Sequence, residues 1–377
     1  MVANELKILI SGGGTGGHIF PAIAIADALR NTVPDCDILF VGALGKMEME
    51  KVPQAGYPIK GLRISAFQRR LSLKNLSFPL KVVFSMVKAY KIITSFKPDV
   101  VVGVGGFASG PTLKVAVNRR IPVVIQEQNS YPGITNRLLA KHAEKICVAY
   151  DGMEKWFPAG KILKTGNPVR ENVINIQNKK DEAFRYFELE SGKPVVLIVG
   201  GSQGALSINQ ALSYNLKDLE QCGVQMIWQT GKLFANKAKS AIQEKIANPR
   251  DKDFHVYEFI TRMDLAYAAA DLVISRAGAI AISELSAVQK PSILIPYPAA
   301  AEDHQAKNAK ALADKQAAIF LADSEAKIKI ATIVKSLIED EEKRDTLSKN
   351  IGEFAVHNSA QKIAEQIIKI ASKRNGV

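Results

Sequence analysis

LKILISGGGTGGHIFPAIAIADAL, residues 6–29, runs from an apolar stretch through a glycine loop into a helix pattern. PVVLIVGGSQGALSINQAL, residues 194–212, repeats that plan in the second half of the chain. A short β-rich run, a turn of glycines and a helix is the opening unit of a doubly wound α/β domain. Two copies predict two Rossmann-like domains, each with a parallel sheet.

Working outward, LKILI, DILFV, DVVVGV, PVVIQ and KICVAY read as strands in the first half. PVVLIV, VQMIWQ, FHVYEF, DLVIS and PSILIP do so in the second. Helical patterns such as PAIAIADALR and INQALSYNLKDL lie between them. Apolar runs separated by helices indicate parallel sheets covered on both faces. The first domain is expected over residues 1–168 and the second over 169–351. The seam falls near GNPVR (166–170) or in the polar NVINIQNKKDE that follows. A C-terminal helix, about 352–377, is expected to pack back on the first domain.

The chain has 377 residues, 47% apolar and 23% charged, enough for two ordinary cores. Its three cysteines, Cys36, Cys147 and Cys222, are far apart and show no zinc spacing, so a reducing compartment is expected. MVANELKILI has no apolar signal core. No apolar run reaches the roughly 18 residues that a membrane span needs.

Net charge is +13, concentrated in one place. No acidic residue occurs between Glu50 and Asp99, a stretch that carries Lys51, Lys60, Arg63, Arg69, Arg70, Lys74, Lys81, Lys88, Lys91 and Lys97. Such a segment is either a solvated face or the footprint of an anionic partner. It lacks aromatic interleaving and any nucleic-acid-binding motif, so no nucleic-acid partner is expected.

The first glycine loop is Gly12-Gly13-Gly14-Thr15-Gly16-Gly17-His18, with Pro21 in what reads as the first turn of the next helix. Backbone N–H groups and the helix dipole at such a loop favour an anion. Gly12, Gly14 and Gly17 satisfy GxGxxG, but a dinucleotide site also needs an acid at the end of the second strand. That strand ends Val41-Gly42-Ala43. Three more strand-to-helix turns follow: Gly103 to Gly110, Gly200 to Gly204, and SRAGAIAISE at 275–284. Strand ends of this kind line the crevice of a doubly wound sheet, and two such lobes are expected to face each other across a cleft.

That cleft suits transfer of a group from a nucleotide diphosphate. The leaving charge can be met by a metal or by helix N-termini, backbone N–H groups and an arginine. The candidate metal strings, Asp35-Cys36-Asp37 and Asp251-Lys252-Asp253, precede strands and so sit at the wrong sheet edge; no metal or other cofactor is expected. Arg170 and the helix start near Gly278 are the anion-binding candidates. His18, at the mouth of the loop, is the candidate general base. Glu284, one to two turns into its helix, can accept both hydroxyls of a ribose. His142, His255 and His357 have ordinary surroundings, and His304 is a weaker site candidate.

Taken together, GGGTGGHIFPAIAIADAL, GVGGFASGP, IQEQNSYPGITNRLLAK, GNPVR, VGGSQGALSIN, EFI followed by Met263, SRAGAIAISE and DHQAKNA resemble the MurG family of bacterial glycosyltransferases, in that family's order. The resemblance implies a GT-B fold with the donor bound mainly by the second domain. It implies an inverting transfer of N-acetylglucosamine from UDP-N-acetylglucosamine to the muramyl 4-hydroxyl of lipid I, the undecaprenyl-linked muramyl-pentapeptide, giving lipid II for the peptidoglycan wall. It places Thr15, Gly16 and Gly17 in the first donor-contacting loop, and Asn129, Arg170 and Ser202 at donor-binding positions. Ile260 would turn its backbone to the uracil. Ala279, Ile280, Ala281, Ile282, Ser283 and Glu284 would hold diphosphate and ribose, with Glu284 at the ribose. Gln305 would contact the sugar, a place His304 can also take. His18 and Glu127, the candidate catalytic residues, would lie near the acceptor. Ala277 and Ala281 depart from the hydroxyl-bearing residues of many relatives.

The basic segment gains a reading from this. RRLSLKNLSFPLKVVFSMVKAYK, residues 69–91, mixes cations with apolar side chains. Arg69, Arg70, Leu71, Leu73, Lys74, Leu76 and Phe78 form a candidate patch for the anionic cytoplasmic surface of the inner membrane. Val82, Val83 and Met86 are expected in the core of a helix over 80–93. The alternatives are another GT-B enzyme acting on a UDP-sugar, with a different lipid acceptor or as a UDP-N-acetylglucosamine 2-epimerase, and a nucleic-acid-binding protein.

Overall fold

The computed structural model describes residues 6–64, 78–246, 253–300 and 303–374. The chain forms two compact units, one of residues 1–170 with 356–377 and one of residues 171–355.

In the first unit the order is β1 (Lys7–Ser11), α1 (Gly16–Thr32), β2 (Asp37–Ala43), α2 (Glu48–Gln54), β3 (Ile59–Leu62), α3 (Phe78–Phe96), β4 (Val100–Gly103), α4 (Ser109–Asn118), β5 (Val123–Glu127), α5 (Ile134–Leu139), β6 (Lys145–Val148) and β7 (Ile162–Lys164). All seven strands are parallel, in the spatial order β3-β2-β1-β4-β5-β6-β7. The order reverses between β1 and β4, so the first two glycine loops emerge side by side. Val100, Val101 and Val102 are fully buried in β4, as befits a strand covered on both faces.

In the second unit the order is α6 (Glu171–Ile174), α7 (Lys180–Tyr186), β8 (Val195–Val199), α8 (Leu206–Tyr214), α9 (Leu216–Gln221), β9 (Gln225–Gln229), α10 (Ala235–Lys245), β10 (Phe254–Tyr257), α11 (Met263–Ala269), β11 (Leu272–Ser275), α12 (Ala279–Val288), β12 (Ser292–Leu294), α13 (His304–Ala313), β13 (Ile319–Phe320), α14 (Ala326–Glu339) and α15 (Glu341–Gly352). Its parallel sheet runs β10-β9-β8-β11-β12-β13, with the reversal between β8 and β11. The turns 200–205 and 276–278 therefore share one switch point. Trp228, in β9, is fully buried and donates its indole N–H to Asn209 Oδ1 at 3.0 Å, which satisfies its one polar atom.

The last helix, α16 (Ser359–Arg374), belongs to the first unit. Ile363, Ala364, Ile367 and Ala371 recur at helical spacing and join Ile19, Ala22, Ile23 and Ala26 of α1 in one buried cluster.

Three expectations about elements are corrected. The C-terminal helix starts at Ser359, because residues 353–358 turn between α15 and α16. The helix after the first loop starts at Gly16, which puts Pro21 in its second turn, beyond the free first N–H groups. INQALSYNLKDL is two helices broken at Asn215, whose amide donates to the carbonyls of Ala211 and Lys327 instead of facing solvent.

Candidate functional site

At the first switch point the two loops interlock, backbone against backbone. A Cβ on Gly12 would meet Val104 Cγ2 at 2.2 Å, and one on Gly106 would meet the Gly13 carbonyl at 2.2 Å. Only glycine permits that approach. Beneath the loop lies Glu48, 1% exposed, at the start of α2. Its Oε1 accepts the Ala43 N–H at 2.9 Å and its Oε2 accepts the Gly14 N–H at 3.0 Å. The Gly14 donor that the glycine pattern offers to a ligand anion is thus taken by a carboxylate of the chain itself. This corrects the first-loop anion reading at that position. Glu48 also fills the space left by the absent acid at the end of β2, and sequence inspection passes over it because it belongs to no glycine motif.

Thr15, Gly16 and Gly17 lead into α1, with Thr15 and Gly17 exposed and Gly16 buried. His18 sits in the first turn, half-buried. Thr15 Oγ1 lies 3.3 Å from His18 Nδ1, a hydrogen bond whose direction depends on the ring tautomer. Burial lowers the imidazole pKa to about 4, against the opposing pull of a hydrogen bond to the Gly13 backbone. The ring is therefore neutral at physiological pH and open to a proton.

Glu127 ends β5 and is 2% exposed. Its Oε1 accepts from the Asn129 backbone at 3.0 Å and the Asn129 amide at 3.3 Å. Its Oε2 accepts from the Gly133 N–H at 3.1 Å and the Asn136 amide at 2.8 Å. Burial raises the carboxyl pKa, and these donors oppose that rise. Four N–H groups on one carboxylate make Glu127 the anchor that shapes the loop 128–133 and holds Asn129 in place.

Arg170 closes the first unit. Its guanidinium stacks over Phe20 of α1 at 4.3 Å, and its buried Nε has no hydrogen-bond partner.

The second unit repeats the interlock. A Cβ on Gly204 would meet the Thr230 carbonyl at 1.9 Å, and one on Gly231 the Gln203 carbonyl at 2.0 Å. Ser202 lies in this turn, half-buried, just ahead of α8. Gln229, at the end of β9, bridges two parts of the site: its Nε2 donates to the Gly201 carbonyl at 2.9 Å and its Oε1 accepts the Ile260 N–H at 2.8 Å. Gly278 is the extended residue ahead of α12, so the free N–H groups of Ala279, Ile280 and Ala281 open the helix. Ser283 Oγ donates back to the Ala279 carbonyl at 2.9 Å. Glu284 is half-buried one turn on, and its Oε2 accepts from the Tyr267 hydroxyl at 3.0 Å. Ile282 is buried in the core on the far face of the helix.

Arg276, between β11 and Gly278, was not legible as a site residue. Its guanidinium donates to Asp323 Oδ1 at 2.5 Å, to the Ile295 and Pro296 carbonyls at 3.2 and 2.9 Å, and to Ser207 Oγ at 2.7 Å. It ties this turn to the start of α8 and the exit of β12. Gln305 Oε1 accepts the Tyr297 N–H at 2.9 Å from the first turn of α13, which His304 opens.

Among the described residues no three His, Cys, Asp or Glu side chains cluster where they could hold a metal ion. Asp37 starts β2 beside Lys7, and Asp253 precedes β10 with both carboxylate oxygens 3.1 Å from Lys193. Both therefore stand at the strand starts, away from the glycine turns.

The basic patch at Arg69, Arg70, Leu71, Leu73, Lys74 and Leu76 lies outside the described residues; Phe78 opens α3. Along α3, Leu80, Val83, Phe84 and Val87 are exposed, at the i, i+3, i+4, i+7 spacing of one helix face, with Lys88 and Lys91 exposed nearby. Val82 and Met86 pack toward the core, but Val83 does not, which corrects its expected burial. Among the described residues no helix is long and apolar enough to cross a membrane.

Residues 8–148 match the glycosyltransferase family 28 N-terminal domain, and residues 195–367 match the glycosyltransferase family 28 C-terminal domain. The chain is 51% identical over 370 residues to a Flavobacterium psychrophilum protein, with 98% of this chain and 99% of that one covered. It is 52% identical over 372 residues to one from Bacteroides thetaiotaomicron, with the same shares covered. Both are named UDP-N-acetylglucosamine–N-acetylmuramyl-(pentapeptide) pyrophosphoryl-undecaprenol N-acetylglucosamine transferase. Among solved structures, MurG of Acinetobacter baumannii superposes with a TM-score of 0.71 at 27% identity, covering 97% of this chain and 99% of that one.

Proposed function

The chain belongs to the MurG family within glycosyltransferase family 28, and from that premise we propose that it transfers N-acetylglucosamine from UDP-N-acetylglucosamine to lipid I, giving lipid II in peptidoglycan synthesis. The observation that carries this is identity of about half the residues along nearly the whole chain to transferases of that name. The transfer is an inverting displacement. The 4-hydroxyl oxygen of the muramyl sugar bonds to the anomeric carbon of the donor, the hydroxyl proton goes to a base, and UDP departs with the electron pair of the broken bond.

His18 is the base. Its imidazole, held neutral by burial, accepts the hydroxyl proton, and Thr15 sets the ring's orientation. A pKa near 4 makes a weak base. The pyrophosphate of the acceptor brings negative charge to the site, which favours the imidazolium and raises that value as the complex forms. Glu127, with both oxygens occupied by loop donors, acts by holding Asn129, and the proton falls to His18.

The departing diphosphate is met by the N-terminus of α12 and the backbone of the turn at Ser202. Free N–H groups there stabilise a developing anion without reorganising. Because these contacts come from backbone, Ala277 and Ala281 cost little. Ile260 reads the uracil through its backbone: a base carbonyl takes over the Ile260 N–H that Gln229 otherwise accepts. Glu284 takes the ribose hydroxyls, Gln305 the sugar, and Arg170 a further donor contact.

The acceptor's lipid keeps it in the bilayer, so the enzyme works as a peripheral protein at the cytoplasmic face of the inner membrane. The apolar stripe of α3 beside Lys88 and Lys91 supports this. So does the run of cations without acids between Glu50 and Asp99.

Radiolabelled sugar transfer from UDP-N-acetylglucosamine to a lipid I analogue, with and without chelator, tests the whole reading. Labelled lipid product is expected in both. Epimerised donor formed without any lipid would instead select the epimerase alternative.

A further inference from the structure

Tyr267 lies on α11, seven residues after Ile260, and is 3% exposed. Its ring belongs to the same buried cluster as Ile260, Met263 and Ile282, so the phenol is fixed by packing. Its hydroxyl reaches α12 and donates to Glu284 Oε2 at 3.0 Å.

Two physical consequences follow. A glutamate side chain is free about three torsions, and tethering one oxygen to an immobile hydroxyl removes much of that freedom before any ligand arrives. The hydroxyl donates and the carboxylate oxygen accepts, so the tether also fixes where that acceptor stands. An acceptor held in one place suits ligand hydroxyls, which donate. The helix that follows the Ile260 segment thus carries, about one turn in, the tether of the acid in α12.

We propose that Tyr267 is a positioning residue of the nucleotide site, acting through Glu284 to set affinity for the ribose and selectivity for its 2′-hydroxyl. This rests on the reading of Glu284 as the ribose acceptor. Tyr267 need not touch the nucleotide itself.

The test is calorimetric binding of UDP and 2′-deoxy-UDP to the full chain, for wild type, Tyr267→Phe and Glu284→Ala. The Phe variant removes one oxygen and leaves the ring in its core seat. Wild type is expected to prefer UDP. Glu284→Ala should abolish that preference. Tyr267→Phe should weaken UDP binding by about three- to tenfold, the scale of one ordinary net hydrogen bond, since the tether acts on the nucleotide only through Glu284, and shrink the UDP to 2′-deoxy-UDP ratio. In turnover it should raise the donor KM and leave kcat within about twofold, since the tether acts on uniform binding.

If Glu284→Ala abolishes the ratio but Tyr267→Phe leaves it unchanged, Tyr267 has only a packing role and the proposal is wrong, whatever happens to its stability. If Glu284→Ala itself leaves the ratio intact, the ribose reading of Glu284 fails first and takes this proposal with it.

Discussion

Gly105 lies so close to the ring of His18 that a Cβ on it would stand 2.8 Å from Cδ2 and 2.9 Å from Nε2. Its φ of +92° is also one that side chains rarely adopt. Gly105→Ala must therefore push the imidazole aside and strain the second loop together. Turnover is expected to fall by about 10²-fold, the scale of a misplacement near 1 Å at a reacting group. UDP affinity should fall far less than turnover, because most of the donor contacts proposed above, at Ser202, Ile260, Ala279 to Glu284 and Gln305, lie in the second unit. Transfer kinetics and UDP binding measured on one preparation check both halves.

His18→Ala removes the base, together with the ring's hydrogen bond to the Gly13 backbone, and leaves every glycine of the loop in place. Turnover is expected to drop by at least about 10²-fold with UDP affinity nearly intact. Near-normal turnover would assign the proton to another group.

The pH dependence of stability gives an independent reading of the same ring. The unfolded chain binds a proton on His18 near the ordinary 6.5, but the folded chain binds it only near 4. Between those values the unfolded state holds more protons, so His18 makes stability fall as pH drops from about 6.5 to 4, and contributes no slope above that window. Denaturation curves of wild type and His18→Asn across pH 7 to 4.5 should show the shallower decline in the variant.

Glu48 joins α2, the end of β2 and the first glycine loop through two hydrogen bonds made by a buried carboxylate. Glu48→Ala leaves the N–H groups of Ala43 and Gly14 without their acceptor, at a cost of about 2–4 kcal/mol. Glu48→Gln keeps the shape but turns an amide N–H toward one of the two donors, so it should recover only part. A shift in the denaturant midpoint at constant slope measures it.

The architecture was readable because β1 and β8 carry the same strand, glycine turn and helix plan, and because the ten apolar runs are strands, most of them buried on both faces; β10, at a sheet edge, is only partly buried. Strands β3, β7 and β13 escaped notice. Each has only two to four residues, and Ile162–Lys164 is barely buried at a sheet edge, so it leaves little hydrophobic signal. Of the site, His18, Glu127 and Glu284 could be picked out by residue type and place in a motif. Their supports could not. Glu48, Gln229, Tyr267 and Arg276 each act through a partner at least 17 residues away in sequence, and Arg276 through one 69 away, and only the folded sheet edge brings them together. The role of Glu127 as an anchor likewise became visible only through its four donors.

The stripe on α3 yields the last expectation. A helix face that shows Leu80, Val83, Phe84 and Val87 to solvent, Phe84 at 66% exposure, loses free energy by leaving water. Each cation beside it adds about 1 kcal/mol near an anionic surface. Phe84→Glu replaces an apolar group that enters the interface with a charge repelled by the lipid. Binding to vesicles containing anionic lipid should fall by about tenfold or more, and transfer to a lipid I substrate embedded in those vesicles should fall with it. Because Phe84 faces solvent, folding and UDP affinity should be unchanged, and so should transfer to a detergent-soluble lipid I analogue. Neutralising Arg69, Arg70 and Lys74 together should give the same pattern with a steeper dependence on salt, since their contribution is screened. If Phe84→Glu leaves vesicle binding intact while the charge variant abolishes it, docking is electrostatic alone and the stripe has no part in it. If both bind as wild type does, this face is a solvated one.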